Sequence, residues 1–487
     1  MTVAAAQLPL RTHLNYSLGA TAPSALGVFS RSFLLFFYSQ AVGLDPWLAG
    51  IALTLGRLWD AVSDPLMGEI SDRTRSRLGR RRPYLLYGAL PLALAYVALW
   101  IPPIGWSQGA LFVYLTLTDV LFNTAITVVM IPYTSLGAEL ATDYHERTKV
   151  AAIRMLFYQV GWFVGAVGVW INQLMLDVGA DLGGTWQRVL TFRDGYAMCA
   201  VVFGLATVAT LTWTALTVRE PEAAERSHTT GFIGSYLRTL TNRSFVVVIA
   251  AFLLASLLET VGFAIFPFLI GFWYYQGDLT AMNNNLLWLM MPLFFVTFPA
   301  VWFWTRLSRR IGKKTTILIG SVASAVTLFL HYPMITPASP GLIWIVMVLF
   351  GWAIASINFL VASLIPDIVD EDELGSGGRR REGSFFGMQT FVSKLGSALG
   401  LLLVGAFLNL IGFEEGAAQQ SPFTLEWLRV FFAWFRGGGY LFAFVILLAY
   451  PLTESRVREV RARLDARRTA GRAEPASATL QPSMIAS

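Results

Sequence analysis

Apolar residues gather in blocks of about 20 or more along almost the whole chain, with short polar stretches between them. A helical block of that length crosses a hydrocarbon core of roughly 30 Å, since each residue adds about 1.5 Å. The pattern predicts twelve transmembrane helices, at 16–43, 47–70, 84–103, 108–137, 151–176, 194–217, 244–274, 285–305, 315–335, 339–366, 385–411 and 433–452. The first block is too long for a signal-peptide core and no small-residue cleavage site follows it, so it is expected to stay as the first span.

Composition agrees. Of 487 residues, 55% are hydrophobic and 14% charged, and the mean hydropathy is +0.58. Soluble domains carry about 25% charged residues, so this is the balance of a membrane protein. The net charge of +6 raises nucleic acid as a partner, but the placement of the basic residues points instead to topology. Loops after even-numbered spans hold Arg73, Arg75, Arg77, Arg80, Arg81 and Arg82, then Arg306, Arg309, Arg310, Lys313 and Lys314, then Arg379, Arg380 and Arg381. On the other side Arg188, Arg193, Arg429 and Arg436 are the main exceptions. The positive-inside rule then puts both termini and the 218–243 connector in the cytoplasm, as expected of a multi-pass protein of the inner (cytoplasmic) membrane. The single cysteine, Cys199, excludes an internal disulfide and a multi-cysteine metal cluster.

A repeat divides the chain. Leu78-Gly79-Arg80-Arg81 is echoed by Ile311-Gly312-Lys313-Lys314, 233 residues on. Ile131-Pro132 is echoed by Ile365-Pro366, and Arg147 by Arg381, both at an offset of 234. The expected organisation is an N-terminal six-helix half (1–217), a connector (218–243), a C-terminal half (244–453) and a partly disordered tail (454–487). In such repeats the substrate sits near the bilayer midplane between the halves, and access alternates by rocking.

Charges inside the apolar blocks are the candidate chemistry. A charge at mid-span costs roughly 2.5–3.5 kcal/mol on insertion scales, so such residues face a cavity or a partner. Arg57, Asp60, Ser63 and Asp64 lie on one face of the second span, with Asp60 ~20 Å along it. Two carboxylates a turn apart repel unless a cation or a proton lies between them, which suits a hard-cation site. The bland reading is that Arg57 neutralises one aspartate and that Asp64, before Pro65, ends a helical segment. Arg31, Asp119, Asn123, Arg154, Glu259, Asn358 and Lys394 are further polar residues within spans, and a cavity between the halves would accommodate them. Asp119 is expected close to the non-cytoplasmic interface.

The four histidines form no metal-binding spacing and no P-loop is present, so enzyme chemistry finds no support. A channel would need a filter ring or an oligomeric pore, for which the sequence gives no signal.

Longer motifs carry a family resemblance. They are Asp60-Ala61-Val62-Ser63-Asp64-Pro65, the loop Arg75 to Pro83, Ile131 to Gly137, Arg154, Asp367-Ile368-Val369-Asp370, Arg381-Glu382-Gly383 and Lys394. Together these resemble the glycoside, pentoside and hexuronide cation symporters, the melibiose-permease branch of the major facilitator superfamily, over residues 14–452. The resemblance implies a major facilitator fold and a monovalent cation (sodium, lithium or proton) held by Asp60, Ser63, Asp64 and a helix IV hydroxyl, which matches Thr127. It also implies that Lys394 lies near the cation and that Arg154 contacts sugar. The loop residues Arg73, Arg77, Arg80, Arg81, Arg147, Asp367, Asp370 and Arg381 would serve gating and topology. Melibiose permeases have an acidic residue at Ser24, an aspartate at Met130 and a tryptophan at Asn358, so the cation half of the inference carries over better than the sugar half. The sodium-dependent lysophospholipid transporters share the helix II motif and a proline at Pro23. For an amphiphile, Arg31 or Lys394 would meet the headgroup.

The expectation is therefore a monomeric alternating-access symporter without a cofactor. It would couple a cation to a sugar or glycoside or, alternatively, to a lysophospholipid-like amphiphile.

Overall fold

The computed structural model describes residues 8–141, 144–166, 168, 170, 192–220, 238–376 and 381–473. These form helices with short connections. In chain order they are α1 (Leu10–Leu18), α2 (Thr21–Phe37), α3 (Pro46–Arg73), α4 (Arg82–Leu99), α5 (Gln108–Glu139), α6 (Tyr144–Ala166), α7 (Phe192–Thr217), α8 (Arg243–Phe268), α9 (Leu279–Ile311), α10 (Lys313–Met334), α11 (Leu342–Leu360), α12 (Ile365–Gly375), α13 (Glu382–Leu410), α14 (Pro422–Val430), α15 (Arg436–Leu448) and α16 (Glu454–Ala473). Helix is present in each of the twelve predicted intervals, several built from two of these pieces. Among the described residues ten helices are long and apolar enough to cross a membrane. Two further long helices are α3, which carries Arg57, Asp60, Asp64 and Glu69, and α6.

Local chemistry sets the starts. Asp45, Ser107, Asn242, Asp278 and Ser421 each accept a backbone N–H of the first turn that follows, which satisfies a donor the helix itself leaves free. Pro46 and Pro422 occupy first-turn positions where no N–H is needed. The last span departs most from its predicted limits. It runs Pro422–Leu448, with a π-helical turn at Phe431–Phe435 joining α14 to α15, rather than 433–452. Glu426 and Arg429 disguised its start: the two pair with each other at 2.7 Å, and Arg429 also stacks on Trp273 and Tyr332.

The repeat is visible in three dimensions. Gly79 and Gly312 both take positive φ, 102° and 84°, a conformation that only glycine adopts without strain. Glu220 accepts the backbone N–H groups of Arg80 and Arg81 beside the first glycine, and Glu454 lies against the second. The two glutamates are themselves 234 residues apart, so the symmetry extends to residues the sequence motif did not include.

At this arginine-rich end none of the ion pairs named here joins one half to the other. Arg81 is buried and bonds Ser71 at 2.5 Å, Glu139 at 3.1 Å, and Asp72. Burial disfavours its charge, but Glu139 and Asp72 outweigh that and hold its pKa above the ordinary arginine value. Arg80 bonds Glu139 and Glu220. In the other half Lys313 bonds Asp367 at 2.6 Å, Arg381 bonds Asp372, and Arg461 of α16 reaches Asp367 and Asp370. The tail is thus helical to Ala473 and docked through Val460, Arg461 and Leu464. Arg73 pairs with Glu69 at the surface, and Arg77 is exposed. The Arg147 side chain and residues 377–380 lie outside the described residues.

The halves meet at mid-span and at the far end, away from the arginines. Gly50 of α3 and Gly405 of α13 pack so closely that a Cβ on Gly50 would stand 3.0 Å from the Gly405 Cα. Asn409 donates to Asp45 at 3.2 Å, and Phe36 stacks edge-on to Phe268. The structure is closed at one end.

Candidate functional site

Between the halves lies a cavity of about 680 Å³, within the usual 300–1,000 Å³ range of ligand sites. Its wall includes the aromatic and aliphatic side chains of Trp162, Phe263, Phe350, Phe359, Phe432 and Met290. Set among them are Arg31, Arg57, Asp60, Glu259, Lys394 and Arg436.

One cluster of these charges spans the two halves. Lys394 of α13 reaches across to α3, with its Nζ 2.8 Å from Asp60 Oδ2 and also bonded to Asp64. Thr127 of α5 places its Oγ1 2.8 Å from Asp60 Oδ1 and 2.9 Å from Asp64 Oδ1. A hydroxyl has one proton to donate, so only one of these contacts is a hydrogen bond from threonine at any moment. The other brings two oxygens together and calls for a proton or a cation between them. Two carboxylates and one ammonium leave the cluster with a formal charge of −1, which matches a monovalent ion. Ser63 is close by, but its hydroxyl turns to the Asp60 carbonyl at 3.4 Å rather than to the carboxylates.

Lysine, and not Arg57, is the partner of the aspartates. Arg57 donates to Asn123 at 3.4 Å and lies beside Asp119. Asn123 in turn donates to the Asp119 carbonyl at 2.8 Å. Asp119 is buried, not solvated near an interface: it sits about 16 Å along α5, pressed against Gly56, where a Cβ would stand 1.7 Å from its Oδ2. On the opposite wall Arg31 meets Glu259 at 3.5 Å.

Of the sugar-holding positions inferred from resemblance, Ser24, Met130 and Arg154 are not on the cavity wall. Ser24 donates to the Tyr158 carbonyl and ties α2 to α6. Met130 packs with Tyr16 and Tyr133 at the arginine-rich end, and Arg154 lies beside that same stacked pair. Asn123 is fully buried behind Arg57. The Asn358 side chain lies outside the described residues.

Residues that the sequence reading missed line the other side. Arg436 of α15, His331 of α10, Thr260 of α8 and Tyr440 all border the cavity. Arg436 fell in the first turn of the predicted last span, 433–452, and was set with the basic residues near its end rather than with the cavity, because that span was started too late. His331 carried no motif that would have marked it.

Two pseudo-symmetric groups of long apolar helices closing on a charged central cavity have the form of a membrane transporter. The family profile described as "MFS/sugar transport protein" matches residues 15–454, and the chain belongs to that family within the major facilitator superfamily. Its curated relatives include the sodium-dependent lysophosphatidylcholine symporter 1 of Mus musculus, 28% identical over 87% of this chain and 82% of that one. Another is the glucuronide carrier protein homolog of Escherichia coli, 26% identical over 95% and 97% of the two chains. Among solved structures, a bacterial homolog to the human lysosomal transporter Spinster, in an inward-facing conformation, superposes with a TM-score of 0.64 at 14% identity, covering 91% of this chain and 98% of that one. The protein is a transporter of multi-pass membrane type, not an enzyme.

Proposed function

We propose that the protein is a monovalent-cation-coupled symporter of an amphiphilic solute. The observation that carries this reading is the composition of the central cavity: a mostly aromatic and aliphatic wall with charges confined to a few places. The cation binds among Asp60, Asp64 and Thr127, where it competes with the Lys394 ammonium. The solute lays its apolar part against Trp162, Phe263, Phe350 and Phe359. With the arginine-rich loops in the cytoplasm, the far-end closure makes this the inward-facing form.

A glycoside is the second reading. It is favoured by the polar side chains of Gln159, Thr390, Ser393 and Ser397 on the cavity wall, which suit a sugar's hydroxyls, with Trp162 available to an apolar aglycone.

The test is uptake into proteoliposomes under an inward sodium gradient. One probe is a fluorescent lysophosphatidylglycerol, followed as resistance to albumin extraction, and the other is phenyl β-D-glucoside. Gradient-driven uptake of the lysolipid, lost in Asp60→Asn and Asp64→Asn, supports the reading. Uptake of the glucoside alone moves it to the second, and wild-type uptake indifferent to sodium, lithium and proton gradients removes the coupling.

A further inference from the structure

Two of the four basic residues in the cavity wall have a carboxylate within 4 Å: Arg31 has Glu259, and Lys394 has both Asp60 and Asp64. Among the described residues Arg57 and Arg436 have none so near; Asp119 acts on Arg57 and Glu259 on Arg436 from further away, and Glu259 is already paired with Arg31. Arg436 is 4% exposed. Its Nε donates to the Leu258 carbonyl at 3.3 Å, and no other acceptor among the described residues is in hydrogen-bonding geometry. That leaves the four N–H donors of the two terminal nitrogens. The guanidinium is held in place by apolar matter. It stacks over Phe432 at 4.6 Å and Phe350 at 5.3 Å, and Gly262 gives it room, since a Cβ there would lie 2.4 Å from its Nη2.

One more polar atom accompanies it. His331 packs against the same two rings, each 5.6 Å away; its Nδ1 meets the Thr327 carbonyl at 2.7 Å, and its Nε2 has no partner. His331 is 2% exposed and borders the cavity. Buried polar groups are almost always hydrogen-bonded, so such an atom beside a guanidinium with free donors calls for a ligand.

Resting on the symporter reading, we infer that Arg436, with His331, is a subsite for an oxyanion carried by the solute, a phosphodiester or a carboxylate of charge −1. The guanidinium presents its fork to two oxygens, as it does to any planar or tetrahedral oxyanion. The inference also supplies a reason for coupling. The aspartate cluster is one positive charge short and Arg436 is one negative charge short. With neither ligand the cavity is neutral; with both it is neutral again. With one alone it carries a full charge, and enclosing an uncompensated ion away from water costs several kcal/mol. The half-filled states are therefore the ones penalised when the cavity closes.

The test uses purified protein in nanodiscs and two matched probe pairs: lysophosphatidylglycerol against monoacylglycerol of the same chain, and phenyl β-D-glucuronide against phenyl β-D-glucoside. In wild type the anionic member of one pair should bind at least tenfold tighter than its neutral partner, and which pair responds separates a lipid phosphate from a sugar carboxylate. Arg436→Gln should remove the preference while leaving the neutral member's affinity unchanged, and Arg436→Lys should keep part of it. Sodium should tighten the anionic probe in wild type and not in Arg436→Gln. No anionic preference in either pair, or a preference intact in Arg436→Gln, overturns the inference. Anionic preference without any cation dependence sinks the symporter reading and leaves this one standing.

Discussion

Arg81 and Arg436 are buried to nearly the same degree, at 3% and 4% exposure, and they could hardly be used more differently. Arg81, at the arginine-rich end, is clasped by Ser71, Asp72 and Glu139. Arg436, in the wall of the central cavity, has one backbone carbonyl and two aromatic rings. A buried charge whose partners all belong to the chain holds the fold together. One whose partners are missing from the chain is kept for something that arrives. Burial alone does not distinguish these roles; the list of neighbours does.

The largest effect expected from this contrast is on stability. Arg81→Gln takes the buried guanidinium from half-exposed Asp72 and from Glu139, which keeps Arg80, and should lower stability by about 2 kcal/mol, the usual scale for losing charged hydrogen bonds. Arg436→Gln strands no carboxylate and removes an uncompensated charge, so without ligand it should melt at the wild-type temperature or above. Unfolding of both variants in the same detergent settles the matter. If Arg436→Gln falls as far as Arg81→Gln, then Arg436 is structural.

The sequence made one of these arginines legible and hid the other. Arg81 stands in a motif that recurs 233 residues on, so its loop followed from the pattern. The acidic face of α3 was equally plain, because Asp60 and Asp64 are charges in an apolar block at helical spacing. Lys394 and Thr127 came from resemblance, and the structure sets both against the aspartates. What failed was assigning contacts within a face. Arg57 was the nearest basic residue in sequence and was offered as the neutraliser, whereas the neutraliser comes from another helix 330 residues further on. Arg436 was lost for a different reason. Hydropathy counting ends a span at charges, and Glu426 and Arg429 cancel each other in an ion pair that such counting cannot see. Once the span begins at Pro422, Arg436 falls near its middle.

A second experiment changes the other side of the balance. Lys394→Gln turns the cluster from −1 to −2, so it no longer offsets Arg436. Because the ammonium stands among the oxygens that would hold the cation, its removal should leave sodium binding intact, measured by calorimetry. Gradient-driven uptake should fall to background, since the loaded cavity is no longer neutral. A variant that binds no sodium at all would show that the lysine assembles the cage instead of competing for it. A variant that binds sodium and still accumulates solute would remove the charge-balance account while leaving the cation site in place.

The smallest effect is expected at Arg31 and Glu259, and it bears most directly on the comparison. Their side chains are 32% and 40% exposed and 3.5 Å apart, and pairs so open to solvent contribute at most about 1 kcal/mol. Glu259→Gln should therefore leave the melting temperature almost unchanged. It does alter the cavity, because Arg31 then loses the carboxylate beside it and Arg436 loses the one that acts on it from further away. If unpartnered cations in this wall attract the solute's oxyanion, the variant should bind the favoured anionic probe about threefold tighter, within the limit such an exposed charge sets. The neutral partner of that probe should bind as before. An equal gain for both probes would mean that the substitution merely loosened the wall. A loss confined to the anionic probe would mean that Glu259 positions Arg31 for it, and that the pair, not the lone Arg436, is where the anion is held.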